Sequence, residues 1–230
     1  MSGVSKRLKR ILINTLIGVL LVVGLILIFN EPIKNWAIKE MGQQRIEQVT
    51  AKQVTKNEKK KTNYNYKKIK SLGAKEVAHA ATNQGNLPII GKLSIPSVGM
   101  RLPVVKGLSN DALSVGGATM KSDQTMGKGN YALAGHYMLN DGTNLFSPLD
   151  RIRIGDSIYL TNLKKVYQYQ VNWKQVVDPT ATYLVNDVAG KKIVTLITCA
   201  DGGKNRLAVR GNLVKVQTAT TKTLARFQTK

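Results

Sequence analysis

Three scarce side chains in this chain could together move an acyl group. Cys199 is the only cysteine, His136 is one of two histidines, and Arg206 follows the cysteine by seven residues. A thiolate is a strong nucleophile when a neighbouring imidazole takes its proton and a cationic donor steadies the oxyanion. Taken singly, Cys199 also reads as a small buried hydrophobe, and His136 as a satisfied histidine at the rim of a core. One cysteine forbids an internal disulfide framework. One cysteine with two histidines forbids a zinc finger or an iron–sulfur cluster.

The elements that must position these groups are short and β-like. Cys199 ends the run Ile193-Val194-Thr195-Leu196-Ile197-Thr198, whose alternation puts Ile193, Thr195, Ile197 and Cys199 on one face. Asp201-Gly202-Gly203 then signals a turn, and a hairpin there returns Arg206 towards the cysteine. Arg206, Ala208 and Arg210 share a face of the returning strand, so Arg210 is a second candidate. His136 ends another apolar run, Tyr131 to Gly135. Further strands are expected at Lys92–Ile95, Arg101–Val105, Asn130–Ala134, Asp156–Thr161, Lys165–Val177, Lys192–Cys199 and Arg206–Val216, with short helices at Asn110–Val115 and Ser147–Ile152. Closely spaced strands without long intervening helices argue an all-β sandwich or closed barrel.

At these residues the chain resembles a known family. Leu133-Ala134-Gly135-His136, then Thr195-Leu196-Ile197-Thr198-Cys199, then Arg206 is similar to the catalytic signature of class A sortases. Ile95-Pro96, Leu102-Pro103-Val104 and Gly155-Asp156-Ser157-Ile158-Tyr159-Leu160 add to the match, which spans about residues 88–217. The resemblance implies an eight-stranded closed β-barrel with short helices, working as a cysteine transpeptidase outside a Gram-positive membrane. Such enzymes cut Leu-Pro-x-Thr-Gly sorting signals between Thr and Gly. Cys199 would form the thioester, His136 would shuttle the proton, and Arg206 would hold the oxyanion or substrate backbone. An amine of a peptidoglycan precursor would then take the acyl group. By the same resemblance the substrate groove includes Ala134 and Ile197 in its floor, Val177, Pro179 and Leu184 in its wall, and Thr198 beside the cysteine. Some class A members bind calcium. The matching regions here offer only Asp111, Asp123, Asp178 and Asp187, with no Glu after Glu76, so neither calcium nor another cofactor is expected.

The expected order along the chain is a cytoplasmic N-terminus over 1–10, a membrane span over 11–29, an extracellular stalk or linker over 30–86, the catalytic domain over 87–217 and a polar tail over 218–230. Residues 11–29 carry no charge and as a helix cover roughly 28 Å, about the hydrocarbon thickness of a bilayer. Lys6, Arg7, Lys9 and Arg10 precede the run and keep the N-terminus inside. The run is too long for a signal-peptide core, and no small-residue cleavage pattern follows it. Polar composition past Asn30 reads as a stalk, helical near the membrane and flexible later, with His79 a solvated linker residue.

The formal net charge of +22 is spread over the chain without a compact basic cluster interleaved with aromatics, which argues against nucleic acid. It suits anionic lipids or wall polymers instead. The expected partners are therefore secreted proteins bearing sorting signals, a peptidoglycan amine and the lipid membrane. Competing readings are an L,D-transpeptidase, whose Ser-x-Gly-Cys context Thr198-Cys199-Ala200-Asp201 lacks, a pilin-polymerising sortase with its second span, and a non-enzymatic basic wall-binding module.

Overall fold

Alternating strands bury one face each, and here eight of them close on themselves. The computed structural model describes residues 2–228. The strands are β1 (Ile89–Ile95), β2 (Met100–Val105), β3 (Gly117–Thr119), β4 (Asn130–Ala134), β5 (Ser157–Thr161), β6 (Lys165–Val177), β7 (Ile193–Ala200) and β8 (Asn205–Thr218). They form a closed barrel in the order β1-β2-β3-β4-β7-β8-β6-β5. The β2–β3 and β4–β7 pairs are parallel and every other neighbouring pair is antiparallel. Leu93, Ile95, Val104, Leu133, Ile158, Leu160, Tyr169, Val194, Leu196, Leu207 and Val209 are buried together in the core.

Strand β3 did not stand out in the sequence. Gly-Ala-Thr is too short to show alternation, yet it bridges β2 to β4 and so completes the closure. Asn110–Val115 is helical (α4), with Ser109 accepting from the Ala112 amide as its cap. The second expected helix is a 3-10 turn, Ser147–Arg151.

The expected stalk is corrected. Helix α1 runs unbroken over Ser2–Gln48, and α2 (Ala51–Glu58) and α3 (Ala74–Asn83) follow it. Its N-terminal part is apolar and unburied, and the helix over Lys6–Gln48 is long and apolar enough to cross a membrane. Its C-terminal part and the two helices after it pack inward: Ile38, Met41 and Ile46 of α1, Val54 of α2 and Val77 of α3 are all buried. Each such side chain contributes about 1.5–3 kcal/mol on burial, so a polar sequence with a thin apolar stripe still docks firmly. Thr50 and Gln53 form a reciprocal cap that starts α2 in register. His79 is exposed on α3 but not merely solvated, since its Nδ1 lies 2.7 Å from Asp111 Oδ1 at the start of α4.

The polar tail also docks. Phe227 is buried, the Arg226 carbonyl accepts from Ser94 Oγ at 2.7 Å, and the Arg226 guanidinium lies 4.1 Å from the Tyr159 ring centroid.

Candidate active site

Two strand pairings bring the sequence-distant groups together. In the antiparallel β7–β8 pair, Cys199 lies directly opposite Arg206, a separation of about 4.5–5.5 Å between paired Cα atoms. In the parallel β4–β7 pair, Ala134 is opposite Ile197, and the Gly135 amide donates to the Ile197 carbonyl at 3.1 Å. Two residues further along each segment are His136 and Cys199, which therefore emerge at the same end of the β4–β7 pair. All three lie at the same mouth of the barrel. Ile197, Cys199, Arg206 and Ala134 sit on the outer face, while Val194, Leu196, Leu207 and Val209 fill the interior.

The chain around His136 is tightly fixed. Its carbonyl accepts from the Phe146 amide at 3.1 Å. Gly135 must lack a side chain, because a Cβ there would stand 2.3 Å from Phe146 Cδ1. Thr198 corrects the groove assignment: it is buried on the interior side, and its hydroxyl donates to the Gly135 carbonyl at 2.8 Å. It therefore ties the histidine's strand to the cysteine's strand and presents nothing to a ligand on the outer face.

His136 is 8% exposed, and its Nε2 is buried with no hydrogen-bond partner. Burial pushes the imidazole pKa down to about 4, against a small upward pull from the Glu76 carboxylate. The ring is neutral at neutral pH and able to accept a proton. A buried polar atom without a partner is costly, and a thiol or amine proton brought to Nε2 would offset that cost. Cys199 is a free thiol, half-buried and within reach of solvent. Arg206 donates through Nη1 to the carbonyls of Gly203 at 2.9 Å and Asn205 at 2.8 Å. A guanidinium has five N–H donors, which leaves others for an incoming oxygen.

The turn between Cys199 and Arg206 holds Asp201, Gly202 and Gly203 in succession at positive φ (51°, 66° and 95°). Glycine adopts this region freely and Asp tolerates it, so the Asp-Gly-Gly signal is used as the sequence suggested. Asn205 Nδ2 donates to Asp201 Oδ2 at 2.6 Å and pins the turn.

Of the remaining groove residues, Ala134 and Ile197 are half-buried beside each other on the cysteine's face, and Val177 is opposite Arg206 across β6–β8. Pro179 is exposed in the loop after β6. Leu184 is corrected: at 2% exposure its side chain is an anchor of that loop and not an open wall. Its carbonyl accepts from Asn130 Nδ2 at 2.8 Å and from Arg210 Nη2 at 3.0 Å. Sequence reasoning missed this anchoring network. Asn130 Oδ1 accepts from Thr195 Oγ1 at 2.7 Å, and Arg210 stacks 5.4 Å from the Trp173 centroid. The signal available was two polar residues on otherwise apolar strands. Ala208, opposite Ile197 on the same face, is fully buried.

Among the described residues no three His, Cys, Asp or Glu side chains gather where they could hold a metal. Asp187 takes bonds from Lys121 and the Asn130 amide, Asp178 from Thr180, and Asp111 from His79. A cavity of about 250 Å³ opens at the opposite mouth, lined by Tyr64, Lys106, Lys121 and Tyr131 among others. It is remote from the cysteine.

A closed barrel that carries a cysteine, a histidine and an arginine at one mouth defines a class of possible acyl-transfer proteins. The family model for the sortase domain matches residues 93–214, and this chain belongs to the sortase family. It is 39% identical over 206 residues to Sortase A of Streptococcus agalactiae serotype III (strain NEM316), covering 87% of this chain and 83% of that protein. It is 38% identical over 187 residues to Sortase A of Listeria monocytogenes serovar 1/2a, covering 81% and 83%. The crystal structure of Listeria monocytogenes sortase A superposes with a TM-score of 0.59 at 38% identity, covering 62% of this chain and 99% of that one.

Proposed function

We propose that this sortase is a membrane-anchored cysteine transpeptidase that acts on Leu-Pro-x-Thr-Gly-type sorting signals. The observation that carries the reading is the strand pairing that sets Cys199 against Arg206 and brings the end of His136's strand to the same mouth. Cys199 Sγ attacks the Thr carbonyl carbon while His136 accepts the thiol proton. Arg206 donates to the oxyanion. As the C–N bond breaks, the imidazolium returns that proton to the departing Gly amine. The thioester keeps the acyl group activated, so an incoming amine can form a new amide without an external energy source. His136 takes the amine's proton and hands it to the leaving sulfur.

A peptidoglycan precursor is the proposed acceptor, and proteins carrying the signal are the donors. Leu and Pro of the signal lie over Ala134 and Ile197, with Val177 and Pro179 at the side. Local partners already occupy the carboxylates of Asp111, Asp178 and Asp187, which supports activity without calcium. The apolar stretch over residues 11–29 with four preceding cations supports a single span, N-terminus inside and barrel outside.

The test is a quenched Leu-Pro-x-Thr-Gly peptide with an added amine. Full-length protein is expected to release the Gly fragment and form the new amide, with a thioester mapped to Cys199. Full activity in Cys199→Ala would remove the reading.

A further inference from the structure

Helix α1 fixes which way the barrel faces. Its apolar run ends at Phe29, and the helix continues without a break to Gln48. Six residues past Phe29, the Asn35 carbonyl accepts from Asn144 Nδ2 at 3.0 Å. Asn144 belongs to the loop that follows His136, at the catalytic mouth. Further along α1, Arg45 and Gln48 line a cavity with Leu87 and Ile89, the start of β1. Strand β1 runs in the same direction as β4, because β1–β2 and β3–β4 are antiparallel and β2–β3 is parallel. The start of β1 is therefore at the mouth opposite His136. So α1 leaves the apolar span beside the catalytic mouth and passes down the barrel to the far one.

The distances are short. At 1.5 Å per residue, Asn35 stands only about 9 Å beyond the last apolar residue of the span. The headgroup layer on each side of a bilayer is roughly 5–8 Å thick. The loop touching Asn35 thus meets the outer edge of that layer. On it, Leu139 is 73% exposed, three residues from His136, and Ile154 is 62% exposed on the neighbouring turn at the same mouth. Arg151 joins the two segments by donating to the Gly142 carbonyl at 2.6 Å. The Asp141 and Asp150 carboxylates of this mouth take bonds from Thr143, Asn144 and Tyr137. On α1, Trp36 is 67% exposed about 10 Å past Phe29, just outside that layer.

We infer that the catalytic mouth is seated on the membrane, with Leu139 and Ile154 inserted in the headgroup layer of the bilayer that holds α1. This rests on the membrane-spanning reading above. The partner surface is the outer leaflet itself, reached by continuity with the span. The groove then opens beside the lipid surface.

The test uses the full chain in lipid nanodiscs, with Cys199→Ala as the cysteine-free background. An environment-sensitive fluorophore is placed at Leu139→Cys, at Lys164→Cys on the opposite mouth, or at Leu20→Cys in the span. Headgroup nitroxide lipids are expected to quench the Leu139 probe several-fold more than the Lys164 probe, and acyl-chain nitroxides to quench the Leu20 probe. If Leu139 is quenched no more than Lys164 while Leu20 is quenched, the seating is wrong and the span stands. If Leu20 escapes quenching, the span and the seating both fall.

Discussion

His136 is the only catalytic candidate whose charge state the structure pins down. Burial at 8% exposure pushes its pKa down from 6.5 to about 4, against an upward pull from Glu76. That lowering corresponds to about 3 kcal/mol between the two protonation states. The sign follows from the direction. The unfolded chain binds the proton near pH 6.5 and the folded chain refuses it until about 4, so stability falls as pH drops through that window and is unaffected by this group above it. Between pH 7 and pH 4.5 the native protein is expected to lose about 2 kcal/mol more than a His136→Gln variant. That comparison cancels the carboxylates, which titrate in both. A direct reading comes from imidazole resonances in a His79→Gln background, where His136 is the sole histidine. The midpoint is expected near 4, and the acid limb of kcat/KM, which reports the free enzyme, is expected below pH 5. A midpoint at 6.5 or above would refute the buried, neutral imidazole.

Other outcomes follow from named contacts. Thr198→Val leaves the Gly135 carbonyl buried and unbonded, at a cost of about 1–3 kcal/mol, and should lower kcat more than it raises KM, while Thr198→Ser restores both. Gly135→Ala forces a methyl onto the Phe146 ring, and strain of about 1–3 kcal/mol should appear in thermal melts with loss of turnover. Arg206→Lys should cut kcat strongly, since a point ammonium cannot keep the turn carbonyls and still donate a second, planar bond. Arg210→Lys should act mainly on KM for the peptide, because it removes one of two donors to the Leu184 carbonyl along with the stacking on Trp173, and so loosens the loop; a larger kcat loss than in Arg206→Lys would reverse the two roles.

Much of this molecule is written locally. Alternation in 193–199 and 206–210 set which side chains share a face, and the Asp-Gly-Gly turn fixed the hairpin that returns Arg206 to Cys199. The uncharged run over 11–29 is equally local, a matter of length and composition. These features survive because each depends on neighbours in the chain.

What the tertiary structure decided concerns contacts between distant segments. The β4–β7 pairing that brings the His136 and Cys199 segments to one mouth joins residues more than sixty apart, and three-residue β3 has no pattern of its own. Thr198 and Leu184 were assigned to a groove by motif, but a strand's two faces and a loop's anchors are distinguished only by what packs against them. The polar segment after Asn30 looked free because its few apolar residues are spaced thinly. Its docking depends on the barrel surface that receives Ile38, Met41, Ile46, Val54 and Val77, and no stretch of sequence describes that surface on its own.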